Sequence, residues 1–238
     1  MKYEKIIKAE FLERPNRFVA ICRVSGEEVI AHVKNTGRCR ELLIPGAVVY
    51  LEDFEGRMGS RKLRYSLIGV EKETSGGRLM INMDSQAPNK AAAEALASGA
   101  INLEGMTGRL KIKAEQTFEN SRFDFYAEDE KGQKAFIEIK GVTLEDSGIA
   151  SFPDAPTQRG VKHVKELVRA ASAGYRTYVI FIIQMAGMKE FRPNDNTHKA
   201  FGDALREAAA KGVKIMAYGC SVGEDCMSVK ERVPVKIG

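Results

Sequence analysis

Two short segments that alternate apolar and polar residues with period two place the tightest limit on how this chain can fold. The first is Arg122-Phe123-Asp124-Phe125-Tyr126 and the second is Phe136-Ile137-Glu138-Ile139-Lys140. Between them lies a charged stretch, Glu128 to Gln133, that contains Gly132. Such arms around a polar turn read as an antiparallel hairpin with one buried face. Pairing Phe125 with Ile137 and Phe123 with Ile139 sets Asp124 directly opposite Glu138, because a one-residue slip would turn every side chain over. Two facing carboxylates repel, and Lys140 shares their face. The pattern therefore calls for a cation at that spot.

Composition narrows the class. The chain has 238 residues, 44% of them hydrophobic, enough for one large domain or two small ones with a real core. It contains no apolar run of membrane-spanning length, and its first residues lack the apolar core of a signal peptide, so the expected compartment is the cytoplasm. The cysteines, Cys22, Cys39, Cys220 and Cys226, are scattered without a C-x-x-C pair, which argues against a disulfide framework or a zinc site. A formal net charge of +5 permits nucleic-acid binding without requiring it. Eight cations, from Arg14 and Arg17 through Arg38, Arg40 and Arg57 to Arg61, Lys62 and Arg64, fall in the first third.

Strand patterns fill residues 3 to 84, at Ile6 to Leu12, Phe18 to Val24, Val29 to Val33, Val48 to Leu51, Leu63 to Val70 and Leu79 to Met83. Short strands at this spacing, separated by turns containing Gly, predict a small closed or nearly closed β-barrel of the OB type. The character then changes. An alanine-rich helix follows Pro88-Asn89, and after it come a strand around 110–118, the hairpin, a helix over 157–173, an apolar strand over 177–184, a helix over 197–211 and a strand over 213–218. The run Thr177-Tyr-Val-Ile-Phe-Ile-Ile183, apolar on both faces, predicts a central strand covered by helices. The expected fold class is thus two-domain, α+β or α/β, with residues 1–85 as an OB-fold and 86–238 as a separate α/β domain.

An Asp followed by Glu-x-Lys on the neighbouring strand suits metal-assisted phosphodiester hydrolysis, with carboxylates as ligands and the lysine orienting the attacking water. Oxygen-only ligands favour Mg2+ or Mn2+ over zinc. Asp124, Glu138 and Lys140 are accordingly the candidate catalytic residues, and Glu94 is a candidate third metal ligand beside Asp124 and Glu138. Glu115 is a further acid on the strand before the hairpin. Downstream, Gln158, Arg159, Lys162 and His163 occupy the first turns of a helix, a setting that suits phosphate. His163 could equally be a core residue packed under that helix. In the barrel, Arg14, Arg17, Asn35, Thr36 and Arg38 are candidate nucleic-acid contacts. Phe18 belongs to an apolar strand and reads more readily as core than as a stacking platform.

Taken with the order of elements, Asp124 and Glu138-Ile139-Lys140 resemble the restriction-endonuclease-like fold with its PD-(D/E)XK signature, although Phe123 stands where a proline is usual. More closely, the chain resembles the sugar fermentation stimulation protein A family. The resemblance rests on Asn35-Thr36-Gly37-Arg38, Leu42-Leu43-Ile44-Pro45-Gly46, Pro88-Asn89, Glu94-Ala95-Leu96, Ser121 to Phe125, Ile137 to Lys140, Phe152-Pro153-Asp154-Ala155 and Thr157 to Leu167. It implies an N-terminal OB-fold, a C-terminal nuclease-like domain and DNA binding without sequence specificity, with a Mg2+ or Mn2+ site. It adds Arg122 and Thr157 to the candidate phosphate contacts and Asp154 to the supporting acids. It is also compatible with a non-catalytic DNA-binding regulator of sugar, especially maltose, metabolism. The absence of a helix-turn-helix signature favours binding without sequence readout.

Overall fold

The computed structural model describes residues 1–35, 37 and 39–238, so the expectations for Thr36 and Arg38 lie outside the described residues. The first six strands are β1 (Ile6–Asn16), β2 (Val19–Val24), β3 (Glu27–Val33), β4 (Val48–Asp53), β5 (Tyr65–Thr74) and β6 (Gly77–Asn82). They pair in the order β3-β2-β1-β4-β5-β6, and a parallel pairing of β3 with β5 closes the first five into a ring. Register shifts between Phe11 and Glu13 and between Glu13 and Asn16 bend β1, which lets one strand serve both β2 and β4. Phe11, Ala20, Cys22, Ala31, Val33, Leu51 and Leu67 fill the ring and are almost wholly buried. This is the OB architecture expected from the spacing of the strands.

The second half opens with helix α1 (Ala87–Ser98), followed by β7 (Lys111–Phe118), β8 (Ser121–Glu128) and β9 (Lys134–Val142). Helix α2 (Gln158–Ser172), β12 (Arg176–Ile183), α3 (Asp195–Ala210), β14 (Lys214–Val222) and β15 (Met227–Arg232) complete a six-stranded sheet of order β15-β14-β12-β9-β8-β7. Strands β9, β12 and β14 run parallel, joined through α2 and α3, and the outer strands are antiparallel. Seven of the eight residues of β12 are buried, as its two-sided apolar run requires. Alternate residues of β12 enter different cores. Val179, Phe181 and Ile183 pack with α2 and α3, while Tyr178, Ile180 and Ile182 pack with α1. The helices therefore cover opposite faces.

Three short strands, β10 (Leu144–Asp146), β11 (Ile149–Phe152) and β13 (Glu190–Pro193), form a separate small sheet. They were not expected from the sequence, because three or four residues are too few for a period to show, and the six-residue β15 was not expected either.

The two halves are joined beside β9, the strand that carries Glu138. Gln184 Nε2 donates to the Asn82 carbonyl at 2.9 Å, to Asn82 Oδ1 at 3.1 Å and to the Asp84 carbonyl at 3.2 Å, and the Asn82 amide donates back to the Gln184 carbonyl at 2.9 Å. Lys34 reaches the same junction through a 2.6 Å ion pair with the buried Asp84. Gly141, at the end of the Glu-x-Lys segment, makes the fit possible. A Cβ there would lie 2.5 Å from Gln184 Oε1 and 2.6 Å from Pro88 Cγ at the start of α1. Replacing Gln184 with leucine would leave three buried acceptors without this donor, at a cost of about 2–4 kcal/mol. The thermal midpoint of Gln184→Leu, followed by circular dichroism, is expected to fall by roughly 5–10 °C.

Candidate active site

At Asp124 the alternation of β8 breaks. Phe125 and Ala127 face the α1 core, as does Ile137 across the ladder. Phe123, two residues earlier, packs instead against Phe136 with ring centroids 5.4 Å apart, in the core beneath α2. The β8–β9 ladder ends at the Phe125–Ile137 pair. The pairing of Phe125 with Ile137 is the register expected, but the ladder stops there, so Phe123 does not pair with Ile139 and Asp124 is not set across the ladder from Glu138. Instead, Asp124 Oδ2 accepts the Ile139 amide at 2.7 Å, and Oδ1 accepts from Asn89 Nδ2 of α1 at 2.8 Å. The carboxylate thus replaces the lost backbone acceptor just where the strands part. Strand β9 is also buried on both faces rather than one, since α1 and α2 sandwich it.

Glu138 is 3% exposed and points under α2. Its Oε1 receives both Lys140 Nζ and His163 Nδ1, whereas Oε2 is buried without a hydrogen-bond partner. Arg159 Nε donates to His163 Nε2 at 3.3 Å, which places the imidazole proton on Nδ1, facing Glu138. Burial pushes the Glu138 carboxyl up, but the His163 hydrogen bond and the Lys140 charge outweigh it, and the net shift is downward. Asp124 shifts the other way. Burial and then the neighbouring Glu138 charge raise it, and the bonds from Ile139 and Asn89 only partly compensate. One acid is held ionised while its neighbour is pressed toward its neutral form.

These donors fit a hard divalent cation. They are two carboxylates, one with an unpartnered buried oxygen, and oxygen donors of this kind suit such an ion. Among the described residues no group of three or more His, Cys, Asp or Glu side chains is arranged to hold a metal ion. Such sparse protein ligation suits Mg2+, which keeps several waters.

The other predicted residues are distributed unevenly. Glu94 is not brought to the site. It lies on the exposed side of α1 and pairs with the N-terminal amine of Met1 at 2.6 Å. Glu115 pairs with Arg122 at 3.5 Å, and both are largely exposed. Thr157 caps α2, its Oγ1 accepting from the Gly160 amide at 3.1 Å. His163 turns both ring nitrogens toward protein partners, so it is neither a phosphate contact nor a plain core residue. Arg159 is exposed, and among the described residues its terminal nitrogens have no partner.

In the N-terminal half, Arg14 donates to the carbonyls of Gly37 and Asn35 at 2.7 Å and of Arg17 at 2.8 Å, so it shapes the loop beside β3. Asn35 Oδ1 accepts the Gly37 amide at 2.8 Å within the same loop. Asp154 crowds Gly37 from the other half of the molecule, since a Cβ there would lie 2.1 Å from Asp154 Oδ2. Phe18 is 45% exposed with the Arg17 guanidinium 4.6 Å over its ring, contrary to the core reading. Asn89 had no assigned role in the sequence. Its position just after Pro88 in a helix start was the available signal, but only the packing of α1 on the sheet shows what it meets.

Comparison with known proteins agrees with this architecture. Residues 86–226 match the model of the sugar fermentation stimulation protein RE domain, and residues 12–81 match that of the SfsA N-terminal OB domain. A sugar fermentation stimulation protein homolog from Desulfitobacterium hafniense (strain Y51) is 55% identical over 240 residues, covering 100% of this chain and 99% of its own. Another from Clostridium beijerinckii is 50% identical, covering 99% of each. The solved structure of Pyrococcus furiosus SfsA in complex with Ca2+ superposes with a TM-score of 0.85 at 30% identity, over 99% of this chain and 98% of that one. The chain, with its OB ring and its six-stranded α/β sheet, belongs to the sugar fermentation stimulation protein family.

Proposed function

We propose that the protein binds DNA without sequence specificity and hydrolyses phosphodiester bonds with Mg2+ or Mn2+ at the Asp124–Glu138 site. The observation that carries this reading is the unpartnered, buried Glu138 Oε2 beside a carboxyl, Asp124, whose ionisation is opposed. Buried charges are costly unless compensated, so the pair favours a cation. The Ca2+ bound by the Pyrococcus furiosus relative is a cation of the same hard, oxygen-seeking kind.

A divalent ion held by Asp124 and Glu138 supplies Lewis-acid polarisation of a phosphoryl oxygen and a bound water of lowered pKa. The chain's own residues do the rest. Lys140 Nζ, tethered to Glu138, holds one proton-donating position for the attacking water or the developing charge. His163 orients Glu138, and Arg159, locked to His163 through Nε, presents its free terminal nitrogens to an adjacent phosphate. Asn89 keeps Asp124 at the strand edge. Protonation of the leaving 3′ or 5′ oxygen would fall to water.

The absence of a third carboxylate among the described residues favours a second reading, in which the nuclease-like site holds DNA without cutting it. Incubation with single-stranded, duplex and branched DNA in Mg2+ or Mn2+ separates the two. Under the catalytic reading, Lys140→Ala lowers the cleavage rate by about 100- to 1000-fold, and Asp124→Ala abolishes it. Cleavage that persists in both variants would remove the assignment.

Metal affinity carries a further signature. A carboxyl whose pKa is raised keeps its proton to higher pH, and a cation must displace that proton. Mn2+ affinity, measured by titration calorimetry, is therefore expected to weaken on acidification from a higher pH than an ordinary aspartate would give. Asp124→Asn is expected to flatten that dependence.

A further inference from the structure

Helix α2 carries its charge in a way that its own stability does not explain. Its exposed residues are Gln158, Arg159, Lys162, Lys165, Arg169 and Ser172, of which four are cationic and none acidic. Arg159, Lys162, Lys165 and Arg169 follow one another at spacings of three, three and four residues, so they form one continuous stripe. The stripe is about 15 Å long. Each like-charged step along it opposes the helix. So do Arg159 and Lys162 near the N-terminal end, where the macrodipole is positive and no acid occupies the first turn.

Helix α3 shows how a plain solvated face is built on the same protein. There the cations are answered by exposed acids: Lys199 pairs with Asp203 at 2.7 Å, Arg206 with Asp203 at 2.8 Å and with Asp195 at 3.1 Å, and Lys211 with Glu207 at 2.6 Å. On α2 the sole acid is Glu166, and it is 2% exposed. From below the surface it holds Arg169 at 3.0 Å and, more loosely, Lys162 at 3.8 Å. Lys162 Nζ also donates to the Asn120 carbonyl at 3.3 Å, and Arg169 pairs with the exposed Glu119 at 3.1 Å. Both cations therefore lean over a groove of about 620 Å³ between α2 and the turn that joins β7 to β8. Lys165, on the rim of that groove, forms no ion pair among the described residues.

A row of cations roughly 5 Å apart, with no aromatic ring among the exposed side chains, fits a line of regularly spaced anions. The sugar-phosphate backbone of DNA is such a ligand. One strand of a duplex carries a phosphate about every 3.4 Å of axis, so a stripe of about 15 Å spans about four phosphates. The stripe also begins at the candidate active site, because Arg159 donates through Nε to His163, whose Nδ1 meets Glu138. We propose that the exposed face of α2 is a track for the DNA backbone on one side of the scissile phosphate, with Lys162, Lys165 and Arg169 meeting successive phosphates. The proposal rests on the reading that the protein binds DNA and deepens it. Affinity comes from phosphates along α2, so a single strand and a duplex are both held there.

The track has a signature in the salt dependence of DNA affinity, measured by fluorescence anisotropy in EDTA over about 50 to 200 mM salt. The variant Lys162→Gln, Lys165→Gln, Arg169→Gln is expected to make the slope of log Kobs against log salt shallower by about 2 to 3, on duplex and single-stranded DNA alike. At about 0.1 M salt its binding is expected to weaken by roughly 50- to 500-fold. Lys165→Gln alone, which breaks no ion pair, is expected to make the slope shallower by about one. Lys199→Gln with Lys211→Gln, on α3, is expected to leave it unchanged, since those cations are already answered by carboxylates. An unaltered slope in the triple variant and in Lys165→Gln, with the wild-type protein binding DNA, overturns the track alone. An equal change in the α3 variant would make net charge responsible and likewise overturns it. Failure of the wild-type protein to bind either DNA overturns the underlying reading as well. Polyglutamate held as tightly as DNA, and released by the same triple variant, would mark a general polyanion surface and overturn the proposal.

Discussion

The centre of the C-terminal sheet is organised by a buried charge that the fold compensates on only one side. Glu138 lies on a strand covered by helices on both faces, where an isolated carboxylate would be strongly disfavoured. Lys140 and His163 both address its Oε1, and Arg159 secures the far side of the imidazole. That chain of contacts fixes how α2 sits on β9. It leaves Oε2 unanswered, next to an aspartate that the same charge presses toward protonation. A buried carboxylate oxygen left without a partner is a local cost to stability.

The second organising element is the junction between the halves. Gln184 follows directly on β12, one strand over from Glu138, and its amide is satisfied only by the end of β6 and the segment that starts α1. Through Pro88 and Asn89 that same segment reaches Gly141 and Asp124. The OB ring is therefore attached to the strands that carry Asp124 and Glu138 by contacts a few residues long. The two halves thus share a short connection that ends at Asp124 and Gly141.

Charge on the N-terminal ring is divided between two roles. Arg57 and Arg64 are held by carboxylates around Asp53 and serve the structure. Arg17, Arg61 and Lys62 stand beside exposed apolar surface without such partners among the described residues. Arg57, Arg61, Lys62 and Arg64 share the β4–β5 connection and Arg17 lies in the β1–β2 turn, so position and not residue type separates the two sets.

Much of this was legible in the chain itself. Period-two alternation and turn glycines identified the strands of the ring, and the two-sided apolar run 177–183 identified the central strand, because burial on one face or two leaves a direct imprint on residue choice. The association of Asp124 with Glu138-x-Lys140 was equally visible, since local spacing brings them to adjacent strands. Other features depend on where distant segments meet. Asn89 reaches Asp124 only because α1 packs across the sheet, and Glu94, five residues further along that helix, is carried to a different side of it. The break in β8 at Asp124 answers a competition between two cores for Phe123 and Phe125, which no local pattern records. The residues at the site were thus readable from sequence, while their partners and orientation were decided by tertiary packing, because hydrogen bonds and burial act between segments whose proximity the sequence does not state.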